Sequence, residues 1–291
     1  MRPCVVVVAH NEGDELPATV DAMLATTPAD TEIIVVDDQS DDGSPERVQE
    51  APGLTVLRTT ARGGVTGSRN FGAAAATGDV LIFSDGHVRT EPNWLEGLMA
   101  GFEDPAVGAA APVVSSLDGT GYPGYGFTWR SPKLGTAWLT KPAERPEPVP
   151  MLCGCFMAVR RTTFEGLGGF DAGLTLWGME DAELSLCVWR LGLECRVVPT
   201  SRIRHKFRKT FPYNGVNWAM TLANTLRVAT VHLPQPAMAR VFAHYAAHPQ
   251  FPEAAERLAD SDAFARRTWM DAEAEHDGAW FIDRFEIEAL R

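Results

Sequence analysis

Runs of apolar, mostly β-branched residues separated by helix-like segments recur through the first third of the chain. Residues 4–9 and the centre of the run Glu32–Asp37 are apolar at every position, which is typical of strands that are buried on both faces of a sheet. Between these two runs, Asp14 can cap a helix that reaches about residue 25. This alternation predicts an α/β fold in which helices flank a mostly parallel central sheet.

The same alternation continues towards the C-terminus. Further strands are predicted at residues 54–58, 80–84, 107–114, 155–159 and 196–199. Further helices are predicted at about residues 65–76, 92–102, 161–167, 182–190, 216–231 and 236–247, with helical segments from there to the end.

Residues 116–150 differ in composition from the segments on either side. Glycine and proline recur there, with Tyr122, Tyr125, Trp129 and Trp138 among them. A loop of this length is uncommon inside a compact domain and is often functional. Because sugars and peptides pack on aromatic ring faces, the loop is a candidate binding surface. An equally good interpretation is a surface excursion with a small core of its own.

Charge and composition exclude several classes of protein. The 291 residues are 45% hydrophobic, which is enough for a sizeable core, and 26 basic against 38 acidic residues give a net charge of -12. A general nucleic-acid binder needs a basic surface, so we expect no nucleic-acid partner. A small anionic ligand held by a local basic cluster remains compatible with this charge.

The cysteines indicate the redox environment. Five are present at irregular spacings, and Cys153-Gly154-Cys155 lacks the two-residue gap of a zinc knuckle or a thioredoxin site. Free thiols in a reducing compartment are therefore expected. No apolar run approaches the roughly 20 residues of a membrane span, and the N-terminal residues do not fit a signal peptide. We expect a cytoplasmic protein without an integral membrane segment.

A carboxylate and an imidazole stand two residues apart where a predicted strand ends. Residues 80–84 read as a buried strand, and Asp85-Gly86-His87 follows at once. Ligands bind at the carboxyl ends of strands in open α/β sheets. Carboxylate oxygen and neutral imidazole nitrogen both bind divalent cations. If the fold brings His205 to the same point, Asp85, His87 and His205 can hold one cation, although packed or solvent-facing histidines are the simpler interpretation.

His205 lies within the most basic run of the chain. Arg202, Arg204, Lys206, Arg208 and Lys209 surround it in an otherwise acidic protein. Arginine donates in pairs to phosphate oxygens, so this run favours a phosphate ligand over a merely solvated face. In an extended conformation, Arg204, Lys206 and Arg208 would share one face and His205 would occupy the other.

Two further acidic pairs are candidates for ligand contact. Asp38 follows the second strand, where a carboxylate can accept hydrogen bonds from ribose hydroxyls; capping of a helix by neighbouring residues is the alternative. Glu180 and Asp181 stand at a helix start, where the helix dipole stabilises carboxylates, and one of them can also act on a hydroxyl as a base. The glycine-rich fingerprints of dinucleotide dehydrogenases and of nucleoside triphosphatases are absent.

These stretches resemble two groups of nucleotide-sugar glycosyltransferases with the A-type fold. His10-Asn-Glu12, residues 36–40, Ser68-Arg-Asn70 and the run at 79–85 resemble glycosyltransferase family 2. The C-terminal half resembles the polypeptide N-acetylgalactosaminyltransferases. The segments that carry this second resemblance are 85–87, 167–171, 177–180, 183–185, 188–189, 201–202, 205–209 and 212–213.

The resemblance implies a role for each matching residue. It implies Asp85, His87 and His205 as ligands of Mn²⁺ or Mg²⁺. It places six residues on the side of the nucleotide or diphosphate: His10, Glu12, Asp38, Arg69, Arg208 and Tyr213. It places at the donor sugar or the reacting hydroxyl Trp177, Glu180 and Asp181. Asp181 departs from the asparagine that is usual in the polypeptide transferases, and aspartate there is the base of many family 2 enzymes.

Together these observations predict a metal-dependent glycosyltransferase that uses a UDP-sugar, for example of an N-acetylhexosamine. Residues 1–115 would form the nucleotide-binding half and 116–233 the donor-sugar and acceptor half of one catalytic domain, with 234–291 as a helical extension. The expected acceptor is a hydroxyl on a peptide or a small metabolite. The resemblance favours retention of anomeric configuration. Inversion with Asp181 as base, and a binding protein without catalysis, are the alternatives.

Overall fold

The computed structural model describes residues 1–208 and 217–291. Its strands are β1 (Pro3–Ala9), β2 (Glu32–Asp37), β3 (Leu54–Arg58), β4 (Val80–Asp85), β5 (Val88–Thr90), β6 (Val107–Ser116), β7 (Phe127–Trp129), β8 (Thr136–Trp138), β9 (Glu147–Pro148), β10 (Phe156–Arg160) and β11 (Glu194–His205). Its helices are α1 (Glu15–Thr26), α2 (Gly64–Ala75), α3 (Trp94–Ala100), α4 (Arg161–Gly166), α5 (Glu180–Arg190), α6 (Trp218–His232), α7 (Gln235–Tyr245), α8 (Phe251–Ala259), α9 (Ala263–Glu273) and α10 (Gly278–Arg284).

The central sheet has the strand order β3-β2-β1-β4-β10-β6-β11-β5, with β9 beside β11. The apolar runs near the N-terminus form its parallel half, in which Val6 of β1 lies between Ile34 of β2 and Phe83 of β4. Continuous apolar runs are needed there because side chains on both faces are buried. The predicted α/β architecture with flanking helices is confirmed.

The other half of the sheet is mixed. β10 is antiparallel to both β4 and β6, while β11 runs parallel to β6. β5 closes the edge antiparallel to β11. After β6 the chain makes the long excursion and then enters β10. β10 therefore runs antiparallel to the strands on both of its sides, β4 and β6.

β11 is much longer than the strand predicted at 196–199. Its pairing with β6 shifts between Val198 and Arg202 and then continues to His205. Such a bulge accommodates extra residues and lets the strand resume. Proline at 199 suggested a strand end in the sequence, but the bulge absorbs it. The basic run therefore begins as part of the sheet.

The 116–150 segment contributes to the core instead of lying apart from it. It contains the β7–β8 hairpin and the short β9, and Phe127, Trp129 and Leu134 are buried in the same apolar cluster as the central strands. Of the aromatic residues noted in the sequence, Tyr125 and Trp129 pack in this cluster, whereas Tyr122 is exposed.

Helices cover both faces, and the C-terminal helices pack around α6, which contacts α7, α8 and α9. Asp14 stands before α1 as predicted, but its side chain makes no capping hydrogen bond within the described part of the chain. The predicted boundary at 115 falls at the end of β6 and the one at 233 just after α6; the division into three segments stays a prediction. Among the described residues, no helix combines the length and apolarity needed to cross a bilayer.

Candidate active site

The turn between β4 and β5 carries Asp85, Gly86 and His87. The Thr19 hydroxyl donates to the carbonyl of Gly86 over 2.9 Å and accepts from the backbone N–H of Val88 over 3.1 Å. A Cβ at Gly86 would lie 2.9 Å from Glu12 Cγ and 3.2 Å from the carbonyl oxygen of Val8. Glycine is therefore required for the close approach of this turn to Glu12.

Pairing of β5 with β11 brings His205 to this turn, because His205 lies opposite Val88 in the sheet. Nε2 of His205 is 3.4 Å from Asp85 Oδ2, and Nε2 of His87 is 4.0 Å from the same oxygen. One ligand atom from each of the three residues lies within 4.8 Å of the others. The structure thus brings together the three residues predicted as metal ligands.

Glu12 and Arg208 surround His87 on the side away from Asp85. Glu12 Oε2 is 3.0 Å from Nδ1 of His87 and also binds the Arg208 guanidinium. A carboxylate only accepts hydrogen bonds, so the contact with Glu12 favours the neutral tautomer with its proton on Nδ1, in which Nε2 is free to bind a cation. Carboxylates commonly orient metal-binding histidines in this way.

The chemistry of the cluster fits a divalent cation. Both ring nitrogens of His205 are buried; Nε2 faces Asp85 Oδ2, and Nδ1 finds no hydrogen-bond partner in residues 1–208 and 217–291, which is costly unless another group binds it. Burial alone would raise the pKa of Asp85, but the His205 and His87 rings and the Arg69 guanidinium outweigh it and hold that pKa well below its usual range. An ionised carboxylate and two imidazoles suit Mn²⁺.

This cluster opens into a cavity of about 810 Å³. One wall carries the acidic residues of α5 together with Arg69. Much of the remaining lining is aromatic and comes from separate parts of the chain. Its aromatic residues include Phe127, Trp129, Trp138, Trp177, Trp218 and Tyr245.

Arg69 of α2 lies between the metal-ligand cluster and α5. It is only 1% exposed, and its Nη2 donates to Asp85 Oδ1 over 3.1 Å and to the carbonyl of Gly154 over 2.6 Å. Its Nη1 lies 3.7 Å from Glu180 Oε1. A buried guanidinium paired with two carboxylates fixes their positions and compensates their charge. Whether Arg69 also contacts a nucleotide stays a prediction.

Glu180 and Asp181 begin α5 at the cavity wall. Glu180 Oε2 accepts from the backbone N–H of Gly178 over 2.9 Å. Asp181 accepts from the N–H of Gly154 over 3.0 Å and of Ala182 over 2.8 Å. Burial raises the pKa of Glu180 to about 7, and the Asp181 carboxylate adds to this effect while Arg69 opposes it. Burial also raises the pKa of Asp181 against those backbone donors.

Asp38 and His10 also line the cavity. Asp38 accepts from the backbone N–H of Gly63 over 2.7 Å and of Gly64 over 3.0 Å, and its backbone carbonyl lies 2.9 Å from Nδ1 of His10. The buried Asp38 carboxylate therefore shapes the loop before α2. Whether it also contacts a ligand stays a prediction, as it does for His10.

The basic run is largely paired with carboxylates. Arg204 lies 3.3 Å from Glu91, and Lys206 lies 2.7 Å from Glu15. The predicted alternation holds in β11, where Arg202 and Arg204 are exposed and His205 is buried. Arg208 lines the cavity. Lys209 and Tyr213 lie outside the described residues.

Trp177 lies at the rim of the cavity and is 39% exposed. Asn224 of α6 holds its loop, donating to the carbonyls of Thr175 and Trp177 over 2.9 and 3.1 Å. Tyr245 of α7 also reaches the cavity, and its hydroxyl donates to the carbonyl of Lys133 over 2.7 Å. No sequence pattern indicated that residues 234–291 contribute to the cavity, because helical periodicity does not reveal where a helix packs.

Two family models of glycosyltransferases match the chain. The family model described as glycosyl transferase family 2 matches residues 4–168, which is more than half of the chain. The chain belongs to glycosyl transferase family 2. A second family model, described as the N-terminal domain of galactosyltransferase, matches residues 139–210 of this family 2 chain.

Curated relatives are similar over most of the chain. Polypeptide N-acetylgalactosaminyltransferase 4 of Mus musculus is 32% identical over 257 residues, covering 79% of this chain and 43% of the relative. Polypeptide N-acetylgalactosaminyltransferase 16 of Homo sapiens is 33% identical over 256 residues, covering 79% and 45%. The family 2 chain thus spans less than half the length of these relatives. The resemblance seen in the sequence is confirmed.

Solved structures agree with this fold. A crystal structure of GalNAc-T7 with UDP, GalNAc and Mn²⁺ has a TM-score of 0.79 at 25% identity, covering 99% of this chain and 57% of that one. The mannosyltransferase PcManGT of Pyrobaculum calidifontis, in complex with GDP-Man and Mn²⁺, has a TM-score of 0.58 at 20% identity, covering 99% and 84%. The second likeness concerns the fold alone.

Proposed function

We propose that this family 2 chain is a metal-dependent glycosyltransferase that moves a sugar from a UDP-sugar to an acceptor hydroxyl. The observation that carries the proposal is the convergence of Asp85, His87 and His205, whose ligand atoms lie within 4.8 Å of one another, in the lining of a cavity of about 810 Å³. The cavity is large enough for a ligand of drug size or more. The relatives named as N-acetylgalactosaminyltransferases support an N-acetylhexosamine as the donor sugar.

Each side of the cavity receives one part of the substrate. Asp85, His87 and His205 would hold Mn²⁺, which supplies charge neutralisation for a diphosphate leaving group. Arg208 lines the same end and can donate to diphosphate oxygens. Arg69 keeps Asp85 and Glu180 in place. Trp177 at the rim limits the access of water to the donor sugar.

The acceptor side is aromatic, and we propose a hydroxyl on a peptide or a small metabolite as the acceptor. Phe127, Trp129 and Trp138 come from the excursion after β6, and Tyr245 from α7. Ring faces of this kind pack against peptides and against small apolar molecules alike. The polypeptide transferases among the relatives support the peptide option.

We favour retention of anomeric configuration from the similarity to the polypeptide transferases. One observation supports inversion: Asp181 lines the cavity, and burial raises its pKa, which makes its carboxylate more basic. Glycosylation of an identified acceptor, followed by proton NMR of the first product formed, distinguishes the two courses by the anomeric coupling constant.

The first test is hydrolysis of UDP-sugars without acceptor, across a panel of sugars, with Mn²⁺ and with EDTA. We expect slow release of UDP from one donor with Mn²⁺ and none with EDTA. His87→Ala should abolish the release, while His244→Ala, on an exposed position of α7 outside the cavity, should not. Binding of UDP without hydrolysis of any donor in the presence of acceptors would support the non-catalytic alternative.

We also propose a cytoplasmic location. Its support is that all five cysteines, which lie in the described residues, are free thiols, as is usual in a reducing compartment. Fractionation of the source cells with antibodies against the chain would test it, and recovery from a secretory or extracellular fraction would contradict it.

A further inference from the structure

Two thiols meet at the wall of the cavity. Cys153 and Cys155 both line it, and their Sγ atoms are 3.3 Å apart. The backbone N–H of Phe156 donates to the carbonyl of Cys153 over 3.3 Å. This turn places the first and third residues side by side. The remaining cysteines, Cys4, Cys187 and Cys195, are buried elsewhere in the fold.

The same three residues support the acidic groups of the site. The N–H of Gly154 donates to Asp181 Oδ2 over 3.0 Å, and its carbonyl accepts from Arg69 Nη2 over 2.6 Å. The carbonyl of Cys155 accepts from the backbone N–H of Asp85 over 3.0 Å. The backbone of the turn that carries both thiols is therefore hydrogen-bonded to Asp85, a candidate metal ligand, and to Asp181, a candidate base.

We propose that Cys153 and Cys155 form a reversible disulfide that lowers the transfer activity of the site. The effect on activity rests on the proposed function, whereas formation of the bond does not. The role assigned to the pair is redox control of an active site by a neighbouring thiol pair, with a small-molecule disulfide as the oxidant.

The chemistry is two successive thiol–disulfide exchanges. Cys153 is the more exposed thiol of the pair, and its sulfur attacks a small disulfide such as oxidised glutathione; a mixed disulfide forms and one glutathione leaves with the proton of Cys153. The Cys155 sulfur then attacks Cys153, the Cys153–Cys155 bond forms, and the second glutathione leaves with the proton of Cys155. The protein loses two electrons and two protons, and the oxidised glutathione gains them as two molecules of reduced glutathione.

Bond formation must move the backbone of the turn. Disulfide sulfurs lie about 2.05 Å apart, so the two sulfurs approach by about 1.3 Å. The turn has little room to move towards α5, because a Cβ at Gly154 would already lie 2.9 Å from Asp181 Cβ. The peptide of Gly154 therefore tilts, and its bonds to Asp181 and Arg69 lengthen. Misplacement of catalytic groups by about 1 Å costs about 100-fold in rate; we expect at least about a 10-fold loss.

The bond itself is tested on the full chain by mass spectrometry. Incubation with oxidised glutathione, alkylation with iodoacetamide and peptide mapping should show the peptide containing Cys153 and Cys155 lighter by two hydrogen atoms and unalkylated. Dithiothreitol should reverse this. A peptide that stays fully alkylated, or one that ends as a stable glutathione adduct, would overturn the proposal.

The effect is tested by UDP-sugar hydrolysis, with each variant compared with its own reduced form. The wild type and Cys195→Ala should lose about 10-fold or more on oxidation, whereas Cys153→Ser, which lacks the attacking thiol, should lose nothing. A bond that forms without changing the rate overturns the control role. If the reduced protein turns over no donor even in the presence of acceptors, the proposed function fails, and the affinity for UDP with Mn²⁺ is measured instead. A fall of about 10-fold in this affinity on oxidation supports the proposal, and an unchanged affinity overturns it.

Discussion

The contact between Glu12 and His87 offers a direct test of the metal site. Glu12 is buried behind His87, and its Oε2 is 3.0 Å from Nδ1 of that ring. We predict that Glu12→Gln weakens the binding of Mn²⁺ in the presence of UDP without removing it. All three metal-ligand candidates remain in this variant, so only the orientation and basicity of one imidazole change.

The size of the effect follows from the contact that is altered. Loss of a carboxylate that orients a metal-binding histidine typically costs 10- to 100-fold in metal affinity, which corresponds to about 1.4 to 2.7 kcal/mol. Glutamine retains an oxygen that can accept from Nδ1, so the lower half of that range is expected. It also leaves the Arg208 guanidinium without its anionic partner, which weakens the support of this corner of the cavity.

Titration calorimetry of UDP in buffered Mn²⁺ measures the change. The matched control is Glu15→Gln. Glu15 forms its ion pairs with Arg89 and Lys206 nearby, and in the described part of the chain it forms none with Asp85, His87 or His205. The control should bind as the wild type does. Equal affinity of Glu12→Gln and wild type would refute the assignment of Glu12 as the group that orients His87.

Three further outcomes are expected. His205→Ala should abolish metal-dependent UDP binding in calorimetry while the melting temperature stays within a few degrees, and retained binding would remove His205 from the site. The pKa of Glu180 is raised to about 7 in the folded state, so the stability that Glu180 contributes is fully present below about pH 4.5 and is lost as pH rises through about 7. In thermal melts, the melting temperature of Glu180→Gln should not show this decrease. Melting temperatures of wild type and variant that change in parallel with pH would contradict the prediction. If transfer inverts, Asp181→Asn should lower turnover by about 100-fold or more with little change in UDP affinity, and near-normal turnover would exclude Asp181 as the base.

The parallel half of the fold was predictable because its signal is local. The β2 and β3 strands have the predicted bounds. In β2, an apolar run that is buried on both faces leaves few alternatives for a segment of that length. The edge strand β5 was missed because three residues after a turn carry no periodicity. The β7–β8 hairpin was missed because its strands are equally short, and glycine and proline around them indicate a loop.

The site was only partly predictable, for a different reason. Residue type and position identified Asp85, His87, Glu180 and Asp181 as candidates, because each stands where a strand ends or a helix begins. Sequence alone does not show what these side chains contact. The buried bridge made by Arg69 and the aromatic wall that includes Tyr245 both depend on packing between segments more than 80 residues apart.

Convergence of the metal-ligand candidates depends on the register of one strand. β11 crosses the sheet with a shift between Val198 and Arg202, and only the residues after this shift alternate so that Ile203 and His205 are buried while Arg202 and Arg204 are exposed. In a strand, a slip of one residue exchanges the two faces. Without the bulge, an arginine would face Asp85 in place of His205, and its guanidinium would pair with the carboxylate that the cation needs. The irregularity that made β11 hard to predict is thus the feature that makes a cation site possible there.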